Sequence, residues 1–315
     1  MDNLFLKYLN YQIVKTNESN HFLDLNNFFE KCYVIGTQNK NKYCEQVIKL
    51  LNSLKIKNIT TIYGYSPKTN NKFLSKGELS YVEVWEKILK DSVDKYSKIL
   101  IFDDDVRPIY NFQLNFSKLF ENIPNDWDII YLGASQHSWE EIDITEAYFK
   151  GYYRAHNTKG SFAMLLSNNA IKKVVDNINI HNTRIPLDEV INSLDLNKYV
   201  LFPNVFIADV STSQIRRPRK DIIQHSNKMK WNIFQYDYFR FFKINALIID
   251  TEKLNQSYSN SIIVQNTKKQ NPKKFLKEMC DRHDTKFVYK ELDEKISYYY
   301  IEEHIKMMVC NNLHL

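Results

Sequence analysis

Glycine and proline are scarce in this chain, which has six glycines and seven prolines among its 315 residues. Long disordered linkers are usually rich in such residues, so the composition argues against them. The chain also lacks an apolar run long enough to span a bilayer. Its first residues do not show the basic and then apolar pattern of a signal peptide. We therefore expect a soluble, cytoplasmic protein without a transmembrane segment.

Cysteine is rare as well, since the chain contains only Cys32, Cys44, Cys280 and Cys310. None of them forms a Cys-x-x-Cys pair, and this spacing argues against a structural zinc site. We expect free thiols in a reducing compartment, which agrees with a cytoplasmic location.

Neither sign of charge dominates, because 43 Lys and Arg residues stand against 37 Asp and Glu residues, for a net charge of +6. A local basic cluster comprises Arg216, Arg217, Arg219 and Lys220. A mild positive surplus suits an anionic small ligand, and it equally suits weak contact with nucleic acid or a membrane surface. The charge alone does not choose among these partners.

Apolar periodicity predicts an α/β fold with a mostly parallel central sheet and flanking helices, because predicted strands and helices alternate. The strands are predicted at 32–37, 59–65, 98–102, 127–133, 160–167 and 198–211, and the helices at 41–56, 78–96, 168–178 and 186–194. After about residue 220 the sequence becomes aromatic-dense and then charged. We divide the chain into a lead-in (1–31), a main domain (32–224) and a helical C-terminal appendage (225–315).

Three consecutive aspartates, Asp103, Asp104 and Asp105, follow the apolar run 99–102. Ligands of open parallel sheets bind beyond the carboxyl ends of the strands. Carboxylates spaced Asp-x-Asp at such an end can chelate a hard divalent cation, and the cation offsets their mutual repulsion. A metal held this way usually carries a diphosphate. The alternative is a solvated acidic turn that ends the strand.

Three classes of metal-dependent enzyme are candidates for these aspartates. An aspartyl-phosphate phosphatase needs Thr or Val four residues after the first aspartate, where this chain has Arg107. A metal nuclease needs further carboxylates and a basic groove, for which the sequence offers no clear set. The remaining candidate is a nucleotide-sugar transferase, in which the metal binds the diphosphate and stabilises the leaving group.

Five segments, in order, resemble glycosyltransferase family 25, the lipooligosaccharide and procollagen galactosyltransferase-like proteins of the GT-A type. They are ILIFDDDVRPIYNF, PNDWDIIYLG, KGSFAMLLSNNAIKKV, IPLDEVI and VSTSQIRRPR, between about residues 32 and 219. The resemblance implies a GT-A, Rossmann-like fold. It also implies a metal-dependent inverting transferase that moves a sugar from a UDP-sugar to a hydroxyl of a glycan or protein-linked acceptor, with Mn²⁺ or Mg²⁺ as cofactor.

The resemblance also implies roles for individual carboxylates. Asp103 and Asp105 would hold the metal, and Asp103 or Asp104 would contact the nucleotide. Asp188, in the segment that matches the family's Pro-x-Asp, is the first choice for the base that takes the acceptor hydroxyl's proton, and Glu189 is the second. The alternative for Asp188 is that it caps its helix or forms a salt bridge.

Several further residues are candidates for the donor site. His225 would be a third metal ligand, since GT-A enzymes often use a late histidine, and the alternative is an ordinary surface or core histidine. Arg216 would hold the diphosphate, because a guanidinium fork matches phosphate oxygens, and the alternative is that it belongs to a solvated basic loop. The ends of the first two strands supply the other candidate nucleotide contacts, with the tyrosine placed to stack on uracil: Gly36, Thr37, Gly64 and Tyr65.

The chain departs from the family pattern where Tyr81 replaces a histidine that follows a serine, here Ser80. This departure motivates a second hypothesis, a catalytically inactive GT-A-fold binding or scaffold protein. For the transferase we expect a nucleotide-sugar donor and a glycan or glycoprotein acceptor as partners, and no nucleic acid. A homodimer through the appendage is a further prediction. The abundance of Asn, Lys and Ile indicates an AT-rich source, such as a virus-encoded protein that acts in the host cytoplasm.

Overall fold

A computed structural model describes residues 22–37, 41–65, 71–109, 111–210, 222–231, 236, 245–248, 261–265, 287–291 and 296–301. The chain divides into two compact units, one of which is Leu23–Asn232. The other comprises Met1–Phe22 and Ile233–Leu315. No helix in the described part of the chain is both long and apolar enough to cross a lipid bilayer.

The Leu23–Asn232 unit alternates strands and helices along most of its length. Its strands are β1 (Lys31–Thr37), β2 (Ile59–Gly64), β3 (Lys98–Asp103), β4 (Val106–Pro108), β5 (Ile129–Gln136), β6 (Tyr152–Arg154), β7 (Thr158–Ser167), β8 (Lys198–Leu201) and β9 (Phe206–Ala208). Its helices are α1 (Asn41–Ser53), α2 (Lys76–Ser92), α3 (Phe112–Phe120), α4 (Ile144–Lys150), α5 (Asn168–Asn177), α6 (Leu187–Ser193) and α7 (Ile222–Lys228).

A seven-stranded sheet in the order β2-β1-β3-β7-β5-β8-β6 forms the centre of this unit. The strand β1 is parallel to β2 and β3, and β5 is parallel to β8, but β7 is antiparallel to both of its neighbours and β6 is antiparallel to β8. The α/β class is confirmed, and the sheet is mixed: five of its seven strands run in one direction, while β6 and β7 run in the other. Apolar periodicity locates a strand without specifying how its connection crosses the sheet, so it could not give these directions.

The strand β3 is buried on both faces, which fixes the position of the acidic residues at its end. All four side chains of 99–102 are fully buried. Trp85 of α2 belongs to the core cluster on one face of the sheet, together with Ile99 and Ile101. On the other face the ring of Phe102 lies 4.8 Å from that of Phe206. A buried strand of this kind gives its final residue little freedom to move.

A short ribbon continues from the acidic turn, because β4 pairs antiparallel with β9. Gly133 of β5 lets this ribbon approach closely, since a Cβ atom there would lie 2.2 Å from the carbonyl oxygen of Phe206. The glycine therefore allows two strands to pack, and it does not line the cavity described below.

The second unit contains a four-stranded antiparallel sheet in the order β10-β11-β13-β12. Its strands are β10 (Asn245–Ile248), β11 (Ser261–Gln265), β12 (Phe287–Glu291) and β13 (Ile296–Ile301). The prediction of a helical appendage is thus wrong for these residues. Segments such as ISYYYI are rich in aromatic and β-branched residues, which favour strands over helices. The predicted dimer through the appendage and the predicted domain bounds stay predictions.

Candidate functional site

A cavity of about 170 Å³ lies at the carboxyl end of β3. Its acidic lining residues are Glu78, Asp103, Asp105 and Asp188. Its basic and histidine lining residues are Lys159, His137 and His225. These side chains belong to segments far apart in sequence, so the fold is what brings them together.

Four predicted site residues line this cavity. Asp103 ends β3 and Asp105 lies in the turn that follows it, while Asp188 lies in the first turn of α6 and His225 lies in α7. The sequence therefore identified residues that are neighbours in space, and their predicted roles stay predictions.

The carboxylate of Asp103 is bound by a tyrosine from α2. The Tyr81 hydroxyl lies 2.9 Å from Oδ1 and 3.2 Å from Oδ2 of Asp103, and 3.1 Å from the carbonyl oxygen of Ser161. The Ser161 hydroxyl in turn donates to the Tyr81 oxygen at 3.2 Å. This network connects α2, β3 and β7 at the base of the cavity.

The surroundings of Asp103 disfavour its ionised form. Burial raises the pKa of this carboxyl well above its usual range, and the negative charge of Asp105 raises it further. The hydrogen bond from Tyr81 acts in the opposite direction, because it stabilises the carboxylate. A positive charge placed between Asp103 and Asp105 would therefore favour ionisation of both.

Asp105 combines a raised pKa with a buried oxygen that has no hydrogen-bond donor among the described residues. Burial is the main cause and the charge of Asp104 the next, and together they raise the pKa of Asp105 to about 7 despite the nearby guanidinium of Arg107. Its Oδ1 atom is buried and accepts no hydrogen bond from the described residues. A buried carboxylate oxygen without a donor fits a cation as its missing partner.

The fit to a metal is nevertheless incomplete. Within the residues that the structure describes, no group of three or more His, Cys, Asp or Glu side chains is arranged to hold a metal ion. His225 is buried, and its ring packs edge-to-face on Trp231 with 5.5 Å between centroids. Two carboxylates would therefore be the main protein ligands of a cation here, with the ligand's own oxygens completing the shell.

A buried ion pair supports the turn that carries Asp105. The guanidinium of Arg107 lies 3.2 Å from Oδ2 of Asp209, and both side chains are almost fully buried. Arg107 also donates to the carbonyl oxygen of Val106 at 2.8 Å, and the backbone N–H of Asp209 donates to the carbonyl oxygen of Asp105 at 2.8 Å. These contacts hold the acidic turn against β9.

The two carboxylates predicted as candidate bases lie in different places. Asp188 lines the cavity, while Glu189 does not and instead accepts a hydrogen bond from Lys159 at 2.6 Å. The N-cap of α6 is Pro186, so Asp188 is not the capping residue. An acidic side chain in the first turn still interacts favourably with the helix dipole.

The predicted contacts at the end of β1 lie beside the cavity rather than in its lining. A Cβ atom on Gly36 would lie 2.0 Å from Sγ of Cys44 and 3.2 Å from Oδ2 of Asp104. Asp104 thus faces Cys44, whose Sγ lies 4.0 Å from that oxygen. Oγ1 of Thr37 is buried and has no hydrogen-bond partner among the described residues.

The predicted contacts at the end of β2 are also outside the lining. Tyr65 is 52% exposed, and the ammonium of Lys87 lies 6.0 Å from the centroid of its ring. A Cβ atom on Gly64 would lie 2.8 Å from Oγ of Ser80, so this glycine allows α2 to pack on β2. Arg216 lies outside the described residues.

Sequence reasoning missed several lining residues, among them Ser135, His137, Lys159 and Ser161. Tyr81 was noted as a departure from the family pattern but was not expected to bind an aspartate. It lies one helical turn before Trp85, and this spacing is typical of a core residue. No signal in the sequence distinguishes a tyrosine that also reaches across to β3.

Comparison with known proteins shows a distant and partial similarity to glycosyltransferase 25 family member 3. The human protein, named an inactive member of that family, is 33% identical over 106 residues, or 31% of this chain and 17% of its own length. The mouse protein, named in the same way, is 29% identical over 150 residues, or 45% of this chain and 24% of its own. The matches span a quarter or less of these relatives, and no family model matches the chain.

Among solved structures, one of a mutant Drosophila β-1,4-galactosyltransferase 7 in complex with manganese, UDP-Gal and xylobiose is similar at a TM-score of 0.32. The identity is 11%, and the match covers 70% of this chain and 87% of that one. A TM-score of this size does not establish a common fold, so the sequence similarity is the stronger of the two findings.

Proposed function

We propose that the Leu23–Asn232 unit is a glycosyltransferase-like module that binds a nucleotide sugar in the cavity at the end of β3 and does not transfer the sugar at an enzymatic rate. The observation that carries this proposal is the similarity to family 25 relatives that are named inactive. The cavity itself supports the binding part, because the two carboxylates that would anchor a cation and its diphosphate both line it.

Asp103 and Asp105 are the residues that would hold Mn²⁺ or Mg²⁺. A bound cation would neutralise the diphosphate of the nucleotide sugar and allow both carboxylates to ionise. Of the two carboxylates, Asp105 is the more available to a cation, because its Oδ1 atom has no hydrogen-bond donor among the described residues. Asp103 would share its carboxylate oxygens between the cation and the Tyr81 hydroxyl, which contacts both of them.

The contact between Tyr81 and Asp103 supports low activity as well as weak metal binding. A cation that holds the leaving group must be fixed in position, because misplacement by about 1 Å costs about 100-fold in rate. Where one of its two main carboxylates is shared with a tyrosine, the cation is held mainly by the other. We therefore expect the cavity to keep the binding of a nucleotide sugar while the rate of sugar transfer is low.

A second candidate is the metal-dependent inverting transferase, and a specific observation favours it. Asp188 lines the same cavity as Asp103 and Asp105, where a base would have to lie to take a proton from an acceptor hydroxyl. In that function Asp188 would take the proton of the acceptor hydroxyl as its oxygen bonds to the anomeric carbon of the sugar, while the bond from that carbon to the diphosphate breaks and UDP leaves. Glu189 is the weaker choice, because it does not line the cavity and its carboxylate binds Lys159.

The experiment that tests both candidates measures binding and turnover on the same protein. Thermal unfolding is followed with a panel of UDP-sugars, each with and without MnCl₂, because a ligand of the folded state raises the melting temperature. Sugar release and transfer to simple glycosides are then measured with the sugar that binds. Binding without turnover supports the inactive module. Turnover that Asp188→Asn abolishes supports the transferase, and no binding by any UDP-sugar excludes both.

A further inference from the structure

Lys159 is the one lysine or arginine side chain among the described residues that line the cavity. It lies on β7 opposite Ser135 of β5. The next residue, Gly160, has φ +84°, and a Cβ atom there would lie 2.9 Å from the backbone nitrogen of Ser135. A residue with a side chain would be strained at this position, so the backbone that presents Lys159 to the cavity is closely defined.

Arg107, a described cation near the acidic turn, already has a buried partner. Arg107 pairs with Asp209, and both side chains are at most 4% exposed. An anionic ligand that enters the cavity therefore meets Lys159 as the one lysine or arginine among the described lining residues, beside the histidines His137 and His225.

Lys159 is bound to Glu189 by a contact that can be exchanged. Their Nζ and Oε1 atoms are 2.6 Å apart, and the two side chains are 35% and 40% exposed. Ion pairs with this exposure contribute little to stability, since water and salt screen them. A phosphate oxygen offers an ammonium group the same kind of charge-assisted hydrogen bond as a carboxylate does. The ligand can therefore replace Glu189 at little cost to the fold.

We infer that Lys159 is a phosphate-binding residue of this cavity and that Glu189 is its internal competitor, which weakens the binding of anionic ligands by holding the ammonium group. This inference rests on the proposed binding of a nucleotide sugar and names the residues that set its affinity. It also gives Glu189 a role that differs from the predicted one, because its carboxylate acts on Lys159 and not on the acceptor.

The test is calorimetric titration of the full chain with UDP, and separately with uridine, in the presence of MnCl₂. Lys159→Met should weaken UDP binding about tenfold or more, because a hydrogen bond to a charged group is lost. Glu189→Gln should tighten it about two- to fivefold, the size expected of a partly exposed ion pair. Neither change should alter the binding of uridine, which carries no phosphate.

The matched control is the exposed pair of Lys150 and Glu146 on α4, whose charged atoms are 2.5 Å apart and which does not line the cavity. Lys150→Met and Glu146→Gln should leave UDP affinity unchanged. Thermal unfolding of each variant verifies that it folds.

A double-mutant cycle separates competition from a general effect of charge. If Glu189 acts by holding the ammonium group, Glu189→Gln should change nothing in a Lys159→Met background. An equal gain in both backgrounds would overturn the competition. If the wild type binds UDP and both single variants bind it with the same affinity, this inference is overturned and the proposed function is not. Failure of every protein, wild type included, to bind UDP would overturn it together with the proposed function.

Discussion

Replacing Asp105 with asparagine should make the folded protein more stable at pH 8 and remove its response to divalent cations. Burial and the charge of Asp104 raise the pKa of Asp105 from 3.8 to about 7. Above that pH the ionised carboxylate is less favourable in the folded chain than in the unfolded one, where water surrounds it. Asparagine has nearly the same shape and no charge, so it avoids this cost.

The size of the effect follows from the change in pKa. A shift of one pH unit corresponds to about 1.4 kcal/mol, so the rise from 3.8 to about 7 gives an upper limit of roughly 4 kcal/mol at pH 8. The amide loses hydration too, at a cost of about 1–3 kcal/mol where it lacks partners. The free energy of unfolding should therefore increase by on the order of 1–3 kcal/mol.

The sign of the pH dependence is fixed by the direction of the shift. Below pH 3.8, the ordinary value, Asp105 is protonated in both states, so the charge makes no difference to folding. Between that pH and about 7 only the folded state keeps the proton, so wild-type stability falls as pH rises. The advantage of Asp105→Asn should grow across this window and stay constant above it.

Urea unfolding of wild type and Asp105→Asn at pH 4, pH 5.5 and pH 8 measures these differences. Asp94→Asn, at an exposed position on the surface, is the control and should change the stability by less than about 0.5 kcal/mol at any of these pH values. MnCl₂ should then raise the melting temperature of wild type and leave that of Asp105→Asn unchanged. A variant that gains nothing at pH 8, or gains equally at pH 4, would refute the reasoning from a desolvated carboxylate.

Three other changes have defined outcomes. Tyr81→Phe should lower the free energy of unfolding by about 1–3 kcal/mol, because Asp103 loses its hydrogen-bond donor. The same variant should bind Mn²⁺ more tightly, as measured by electron paramagnetic resonance. Weaker binding would contradict the competition between the Tyr81 hydroxyl and the cation for Asp103. Arg107→Met should lower the free energy of unfolding in urea by about 3–5 kcal/mol, since the buried carboxylate of Asp209 loses its cation. A loss below about 1 kcal/mol would contradict the importance of this buried ion pair. Gly133→Ala should lower the free energy of unfolding by about 1–3 kcal/mol, because the new Cβ atom would meet the carbonyl oxygen of Phe206. A variant as stable as the wild type would show that the β4–β9 ribbon can shift to make room.

Much of the secondary structure was predictable because apolar spacing reports burial. The strand predicted at 98–102 is β3, and the helix predicted at 168–178 is α5. The helices α3 and α4 were missed, since FQLNFSKLF and ITEAYFK are short and the second has little apolar periodicity. Strand direction and the β-structure of the second unit depend on contacts between distant segments, which local patterns do not contain.

The acidic part of the site was predictable for a different reason. A run of three aspartates after a buried strand is costly unless something compensates it, so Asp103 and Asp105 were visible in the sequence alone. Asp188 was recognisable only through the family resemblance. The pairing of Lys159 with Glu189 spans two elements and leaves no trace in either segment, so only the structure could supply it.

The insertion of β7 between β3 and β5 has a consequence for the order of events during synthesis. The strands β2, β1 and β3 can pair as soon as they have left the ribosome, but β3 then has one bare edge until residues 158–167 follow. An apolar strand with a free edge is a template for pairing with other chains. We expect nascent chains that end before residue 167 to need protection from aggregation. We also expect the hydrogen-bond network of Tyr81, Asp103 and Ser161 to form only when β7 pairs with β3.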